Sequence, residues 1–110
     1  MNKKEYMDLH ASLCAKMMDI TKRKNADYTG KTDDPFANFR RCEQLDICSV
    51  EIGFLTRMTD KMARVNALLQ NGGAQVKDEA IEDTLLDLAN YSLLMIGYLQ
   101  SKKPKCESPL

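Results

Sequence analysis

The sequence has no excess of charge of either sign and no long hydrophobic run. Sixteen Lys and Arg balance sixteen Asp and Glu, so the formal net charge is zero at pH 7. Generic nucleic-acid and membrane-surface binders carry a strong basic excess, so we expect neither kind of partner here. The apolar stretches are far shorter than a membrane span, and the first residues are polar and charged. We therefore expect an unexported, cytoplasmic protein.

The sequence also lacks cysteine motifs and is poor in histidine. The four cysteines include no C-x-x-C pair, and His10 is the single histidine. These numbers and spacings predict neither a zinc site nor a redox pair. We interpret the cysteines as reduced thiols and His10 as a packing or surface residue.

Apolar residues recur at helical spacing, and no segment alternates with period two for long enough to predict a strand. Asp34-Pro35 and Ser49 are typical helix starts, and Asn71-Gly72-Gly73 is a typical helix end. The pattern predicts three long helices and one short one, over residues 3–24, 35–43, 49–71 and 78–100.

The predicted fold is therefore an all-α helical bundle. We expect one domain over residues 1–101 and a polar tail over residues 102–110. A chain of 110 residues can bury a core but has little area to spare. We therefore expect a homo-oligomer.

The last predicted helix is apolar on almost every side but carries a polar strip. Glu79, Asp83, Asp87 and Asn90 fall on one line at 3.6 residues per turn. Carboxylates removed from water need a cationic partner. Lys and Arg of neighbouring helices would make the strip a structural ion-pair network, whereas Mg²⁺ would make it a functional site.

A basic face lies on the preceding long helix, where Arg57, Asp60, Lys61 and Arg64 recur at steps of three and four. Arg and Lys in this pattern could grip phosphate oxygens, although an ordinary solvated face has the same pattern. Glu51 falls on the apolar line of the same helix. It either favours the helix N-terminus by its charge or completes a carboxylate cluster.

A polar segment follows the first predicted helix. Lys24, Asn25, Asp27 and Tyr28, with Asn38 further on, supply charge for a phosphate, a ring for stacking and hydrogen-bonding groups for a base. The same composition suits a helix C-terminus followed by a turn.

Three motifs together resemble one protein family, nucleotide modification associated domain 1, found in phages and bacteria. They are K-R-K-N-A-D-Y from Lys22, R-M-T-D-K-M-A-R from Arg57 and D-E-A-I-E-D-T-L-L-D-L-A-N-Y from Asp78, and the match spans roughly residues 5–100. That family looks like a distant relative of the all-α nucleoside triphosphate pyrophosphohydrolases, the MazG and dimeric dUTPase group. Those enzymes use Mg²⁺ to hydrolyse a nucleotide between its α and β phosphates.

The resemblance implies roles for named side chains. Metal binding would fall to Asp83 and Asp87, with Glu79 or Glu51 as additions, and Glu79, Asp83 and Asp87 would be catalytic. Phosphate contacts would fall to Arg57, Lys61 and Arg64, and base contacts to Asn25, Asp27 and Tyr28. Lys24, Asn38, Asp60 and Asn90 complete the candidate ligand-binding set.

The sequence departs from that group where its enzymes carry a Glu-Glu-x-x-Glu cluster, because the corresponding segment here begins at Arg57 and reads R-M-T-D-K. Two functions therefore stay open. The first is a Mg²⁺-dependent pyrophosphohydrolase-like enzyme of phage nucleotide metabolism, acting in the host cytoplasm. The second is a non-catalytic protein that sequesters a nucleotide signal of host defence. A bundle that serves only as an interaction module is the remaining alternative.

Overall fold

The computed structural model describes the backbone of residues 1–28, 33–71 and 75–104, and the side chains of residues 1–24, 33–71 and 80–104. The described backbone forms four helices and no strand: α1 (Lys3–Tyr28), α2 (Ala37–Gln44), α3 (Val50–Gln70) and α4 (Gln75–Ser101). The all-α class with three long helices and one short helix is confirmed.

Local capping groups fix both ends of α3 where the sequence predicted them. The Ser49 hydroxyl accepts a hydrogen bond from the backbone N–H of Ile52 at 3.2 Å, and Asn71 is the C-cap residue. At the start of α1, the Asn2 side chain accepts from the N–H of Glu5 at 2.8 Å. Each cap satisfies a backbone group that would otherwise lack a partner inside the helix.

Three predicted boundaries are wrong by two residues or more. The last helix begins at Gln75 and not at residue 78. The first helix continues to Tyr28 instead of ending at residue 24, because Asn and Asp lower helix propensity only slightly and no Gly or Pro intervenes. The short helix begins at Ala37 and not at Pro35. Asp34 and Pro35 form a turn before it, in which the Asp34 carboxylate accepts from the Phe36 N–H at 3.0 Å.

The helices α3 and α4 form an antiparallel hairpin. The residue pairs in contact show the direction, because Glu51 meets Lys102, Lys61 meets Asp87 and Arg64 meets Thr84. The helix α1 instead runs parallel to α4, since Lys16 meets Asp83 and Thr21 meets Asn90. Lys102, which was predicted in the polar tail, contacts Glu51 at the start of α3.

An aromatic core lies where α2 covers one end of this hairpin. Phe36, Val50, Phe54 and Tyr98 are buried there, with Phe39, Leu94 and Met95 packed against them. Phe39 stacks on Phe54 with ring centroids 4.0 Å apart. Rings supply much apolar area per side chain, so a helix of eight residues is fixed on the hairpin by two of them.

The helix α4 is apolar on almost every side, but the single chain does not bury all of these sides. Its contact side buries Thr84, Leu86 and Tyr98, but Leu93 and Ile96 on another side are more than half exposed. The apolar line of α3 is divided in the same way, since Phe54 is buried while Met62 is 60% exposed. Hydrophobic periodicity therefore marks more surface than this chain covers.

Candidate functional site

The predicted polar strip of α4 meets basic side chains of α1 and α3 in one region, which we call the three-helix junction. Its charged members are Lys16 and Lys24 of α1, Lys61 and Arg64 of α3, and Asp83 and Asp87 of α4. The i,i+4 spacing of the two aspartates places them one helical turn apart on α4. The junction thus joins three segments that are distant in the sequence.

Asp87 is the centre of the junction. One carboxylate oxygen lies 3.3 Å from Lys24 Nζ, and the other lies 3.3 Å from Lys61 Nζ. The Asp87 side chain is 26% exposed, so water reaches this group. A single negative charge is thus shared by two ammonium groups from different helices.

The next polar residues on α4 have partners of their own. Asp83 lies 3.4 Å from Lys16 Nζ and is 64% exposed. The buried Thr84 hydroxyl donates to the carbonyl of Ala80 at 2.7 Å and accepts from Arg64 Nε at 3.3 Å. Because Arg64 bonds to Thr84 through Nε, the N–H groups at the end of its guanidinium group stay available as donors.

Asn90 extends the strip by one turn. Its side-chain oxygen accepts from the Thr21 hydroxyl at 3.4 Å, while its Nδ2 group is buried without a hydrogen-bond partner in the described part of the chain. Exchanging the amide oxygen and nitrogen would leave the other end unpaired in the same way. A buried polar group without a partner is costly, by about 1–3 kcal/mol, and is therefore a place where a ligand atom gains a strong contact.

An aromatic ring lies beside the lysines. The Nζ atom of Lys24 is 5.8 Å from the centroid of the Tyr91 ring, whose other neighbour is Phe39 at 6.3 Å. Distances of this kind allow a cation–π contact. Tyr91 thus joins the polar junction to the aromatic core.

The junction has more positive than negative charge. Among the side chains that the structure describes there, four cations, Lys16, Lys24, Lys61 and Arg64, face two carboxylates, which leaves two positive charges in excess. The overall charge of the chain is zero, so this excess is local. A local positive excess at a partly exposed site attracts anions.

The structure brings together only part of the predicted site. Lys24, Lys61, Arg64, Asp83, Asp87 and Asn90 lie in the junction. Arg57, Asp60 and Asn38 are exposed, and among the described side chains no hydrogen bond or ion pair joins them to the junction. The side chains of Asn25, Asp27, Tyr28 and Glu79 lie outside the described residues.

Glu51 has a different partner. Its carboxylate lies 2.7 Å from Lys102 Nζ at the end of α4, about 15 Å along α3 from Lys61. The hydrogen bond from Lys102 holds the pKa of Glu51 below its ordinary value, and the same bond raises the pKa of Lys102. The structure therefore does not bring Glu51 to Asp83 and Asp87, the cluster in which it was expected.

Sequence analysis missed four members of the junction: Lys16, Thr21, Thr84 and Tyr91. A signal existed for one of them. Lys16 lies eight residues before Lys24 on one helix, just over two turns away and about 80° apart around the axis. No signal marks Thr84, because a single threonine in an apolar helix is compatible with packing alone.

No three His, Cys, Asp or Glu residues form a group that could hold a metal ion among the side chains that the structure describes. Cys14, Cys42 and Cys48 form no disulfide among the described residues. None of the described helices is both long enough and apolar enough to cross a membrane.

Comparison with known proteins gives one match. The family model described as nucleotide modification associated domain 1 matches residues 24–99, which is well over half of the chain and includes all of α3 and nearly all of α4. No curated protein and no solved structure matches the chain.

Proposed function

Because the chain belongs to the nucleotide modification associated domain 1 family, we propose that it binds a phosphorylated nucleotide at the three-helix junction. The observation that carries the proposal is the contact of Asp87 with two lysines from different helices. One carboxylate neutralises only one of these charges. The remaining positive charge, with that of Arg64, suits a phosphate group.

The phosphate contacts follow from the geometry of the cations. Lys24 and Lys61 converge on one carboxylate, so a phosphate oxygen beside Asp87 reaches both ammonium groups. Arg64 is held through its Nε atom by Thr84, and its terminal N–H groups remain as donors. Lys acts as a point charge and Arg as a planar fork, and both are common phosphate ligands.

The rest of the nucleotide would lie toward Asn90 and Tyr91. The amide nitrogen of Asn90 is buried and has no hydrogen-bond partner among the described residues, so a ribose hydroxyl or base edge would bond to it only if the side chains around it moved aside. The Tyr91 ring lies beside Lys24, next to the phosphate position. Asn25, Asp27 and Tyr28 stay predictions from the sequence as base contacts.

Binding without turnover is the form of the function that the contacts favour. Asp83 and Asp87 of α4 are balanced by lysines of this chain, so their charge is offset without a further cation. In this form the protein would hold a nucleotide intact, as a protein that sequesters a nucleotide signal does.

A second candidate is a Mg²⁺-dependent pyrophosphohydrolase-like enzyme. The observation in its favour is that Asp83 and Asp87 are one turn apart and reachable by water, at 64% and 26% exposure. Mg²⁺ is commonly held by one or two carboxylates together with substrate phosphates and water. These two residues would hold it, and the ion would supply charge neutralisation at the phosphates. Glu79 stays a prediction as the residue that orients water.

One experiment separates the two functions. The full chain is incubated with a panel of nucleoside mono-, di- and triphosphates and cyclic dinucleotides, in EDTA and in Mg²⁺, and binding is measured by calorimetry. The protein is then heat-denatured and the released compound identified by mass spectrometry. Intact ligand bound in EDTA supports sequestration, and product formed only in Mg²⁺ supports hydrolysis. Absence of binding across the panel contradicts both.

Two variants locate the site. Lys61→Gln removes one phosphate contact, and a hydrogen bond to a charged group contributes about 1.5–3 kcal/mol, so we expect Kd to rise at least tenfold. Asp87→Asn removes the group that competes with phosphate, so metal-free binding should be unchanged or tighter, whereas hydrolysis should be lost. Lys4→Gln makes the same change of charge on an exposed residue near the start of α1 and should leave Kd unchanged.

A further inference from the structure

A second apolar surface covers the α3–α4 hairpin. Eight large apolar side chains on it are between 41% and 62% exposed. We call this surface the outer apolar face, and its members are Ile52, Leu55, Met62 and Leu69 of α3 and Leu85, Leu93, Ile96 and Leu99 of α4. Single exposed apolar residues are ordinary, whereas a contiguous surface of this size marks an interaction site.

Helix geometry makes each set of four a stripe. At 3.6 residues per turn, Leu55, Met62 and Leu69 repeat every seven residues and lie nearly in line. On α4, Leu85, Ile96 and Leu99 lie within about 60° of one another around the axis. Each helix therefore has one apolar side toward the core and another toward solvent.

The two stripes lie on the same side of the hairpin. On each helix, the stripe lies about 130° around the helix axis from the side that contacts the other helix. The rotation has the same sense in both helices when each is viewed from its N-terminus toward its C-terminus. Because α3 and α4 are antiparallel, these two turns end on one side. The residues of α4 that meet α1, including Asp87 and Asn90, are on the other side.

The outer apolar face has no charged side chain among its members. On α4, residues 88–101 contain no Asp, Glu, Lys or Arg at all. On α3 the positions that interleave with the stripe include Thr59 and Asn66, which are polar but uncharged. Glu82 falls within the arc of the α4 stripe, but at its end beside Leu85. Two such faces can therefore be brought together without burying an ionised group at their centre, which would cost several kcal/mol.

We propose that a second copy of this chain docks on the outer apolar face through its own outer apolar face. A twofold axis through the face brings the two hairpins together as a four-helix core. Eight side chains about half exposed offer on the order of 700 Å² of apolar surface per chain, close to the ~800 Å² per partner of stable protein interfaces. The area and the absence of charge both fit self-association.

The dimensions of the chain also support a second copy as the molecule that covers the outer apolar face. The radius of gyration is 16.5 Å, whereas a compact monomer of this length has about 13 Å. An extended single chain gains more from pairing than a compact one, because more of its apolar surface is still in water. In the dimer the two three-helix junctions lie on opposite outer sides, and each stays accessible.

The experiment measures the mass of the full chain in solution by sedimentation equilibrium. A chain of 12.5 kDa should give twice that mass at about 100 µM. Ile96→Asp places a charge in the middle of the α4 stripe and should give the monomer mass with unchanged helical circular dichroism. Met18→Asp is the matched control, since Met18 is 57% exposed on α1 against 53% for Ile96, and it should stay dimeric.

A second variant keeps the test valid if Ile96→Asp does not fold. Met62→Glu places a charge on the α3 stripe and should also give a folded monomer. A monomeric wild-type chain overturns the proposal, as does a dimer that survives both Ile96→Asp and Met62→Glu. A monomeric wild type that sediments with neutral phosphatidylcholine vesicles would assign the face to a lipid surface instead.

Discussion

Phe54 is the residue on which the core depends. It is fully buried, lies 4.0 Å from Phe39 by ring centroids and is tilted against Tyr98 at 6.0 Å. The stacking needs space beside it, because a Cβ atom at Gly53 would lie only 3.3 Å from the Phe39 ring. Three helices thus meet through the rings around one side chain.

Phe54→Ala should therefore lower the free energy of unfolding by about 3–5 kcal/mol, from lost apolar contacts and the cavity left behind. Phe54→Leu should cost clearly less, since it leaves a smaller cavity. The measurement is urea unfolding followed by circular dichroism. Leu45→Ala, at a residue that is 64% exposed, is the control and should change little. A small effect of Phe54→Ala would mean that α2 does not depend on this core.

The partners of Asp87 show what sequence reasoning could reach at the scale of one residue. A carboxylate on an apolar helix predicts some cation beside it. Lys24 is 63 positions away from Asp87 in the sequence, so its identity as partner depends on how α1 packs on α4. The chemistry of the site was therefore predictable, but the choice between protein cations and a metal was not.

The pair Glu51–Lys102 joins the start of α3 to the end of α4. Because the hydrogen bond from Lys102 lowers the pKa of Glu51, the pair stabilises the folded state at pH values above the ordinary carboxyl pKa of 4.5. This stabilisation is lost as the pH falls through the lowered value. The raised pKa of Lys102 has the opposite sign, so its contribution is lost only at strongly alkaline pH.

Glu51→Gln should accordingly lower stability at pH 7 and have a smaller effect at about pH 2, because the stabilisation is lost as the pH falls through the lowered pKa of Glu51. The measurement is urea unfolding of wild type and variant at both pH values. Glu82→Gln changes an exposed residue of α4 and serves as the control. An equal difference at both pH values would show that the effect of the variant is not electrostatic.

Helix boundaries were predictable where a local group sets them. Ser49 and Asn71 act through backbone atoms a few residues away, and both ends of α3 were predicted correctly. The end of α1 was predicted wrongly, since helix continuation depends on cooperativity over several residues. The exposed side of α4 was also unpredicted, because hydrophobicity does not tell whether the same chain or another one covers a surface.

At the scale of the whole molecule, the hairpin α3–α4 has two different sides. One side is covered by α1 and α2 and contains the three-helix junction, and the other is the outer apolar face. The family match covers residues 24–99, which leaves out most of α1. The matched segment thus includes Lys24 and every junction residue of α3 and α4, but not Lys16 or Thr21.

If two copies pair through the outer apolar face, thermal stability should depend on protein concentration. Mass action stabilises the folded dimer by about 1.4 kcal/mol for each tenfold rise in concentration, so Tm should rise by several degrees from 5 µM to about 50 µM. The measurement is a set of melting curves by circular dichroism. The Tm of Ile96→Asp should be independent of concentration, and a constant Tm for wild type would contradict the pairing.

The helices are attached to one another by two different kinds of contact. Lys16 and Asp83, which help to attach α1 to α4, are more than half exposed, whereas the rings that attach α2 to the hairpin are largely shielded from water. Dissolved ions screen exposed charges and leave apolar packing intact or even strengthened. Raising the ionic strength therefore weakens the contact between α1 and α4 selectively. Sodium chloride becomes a means of loosening α1 while α2 stays packed on the aromatic core.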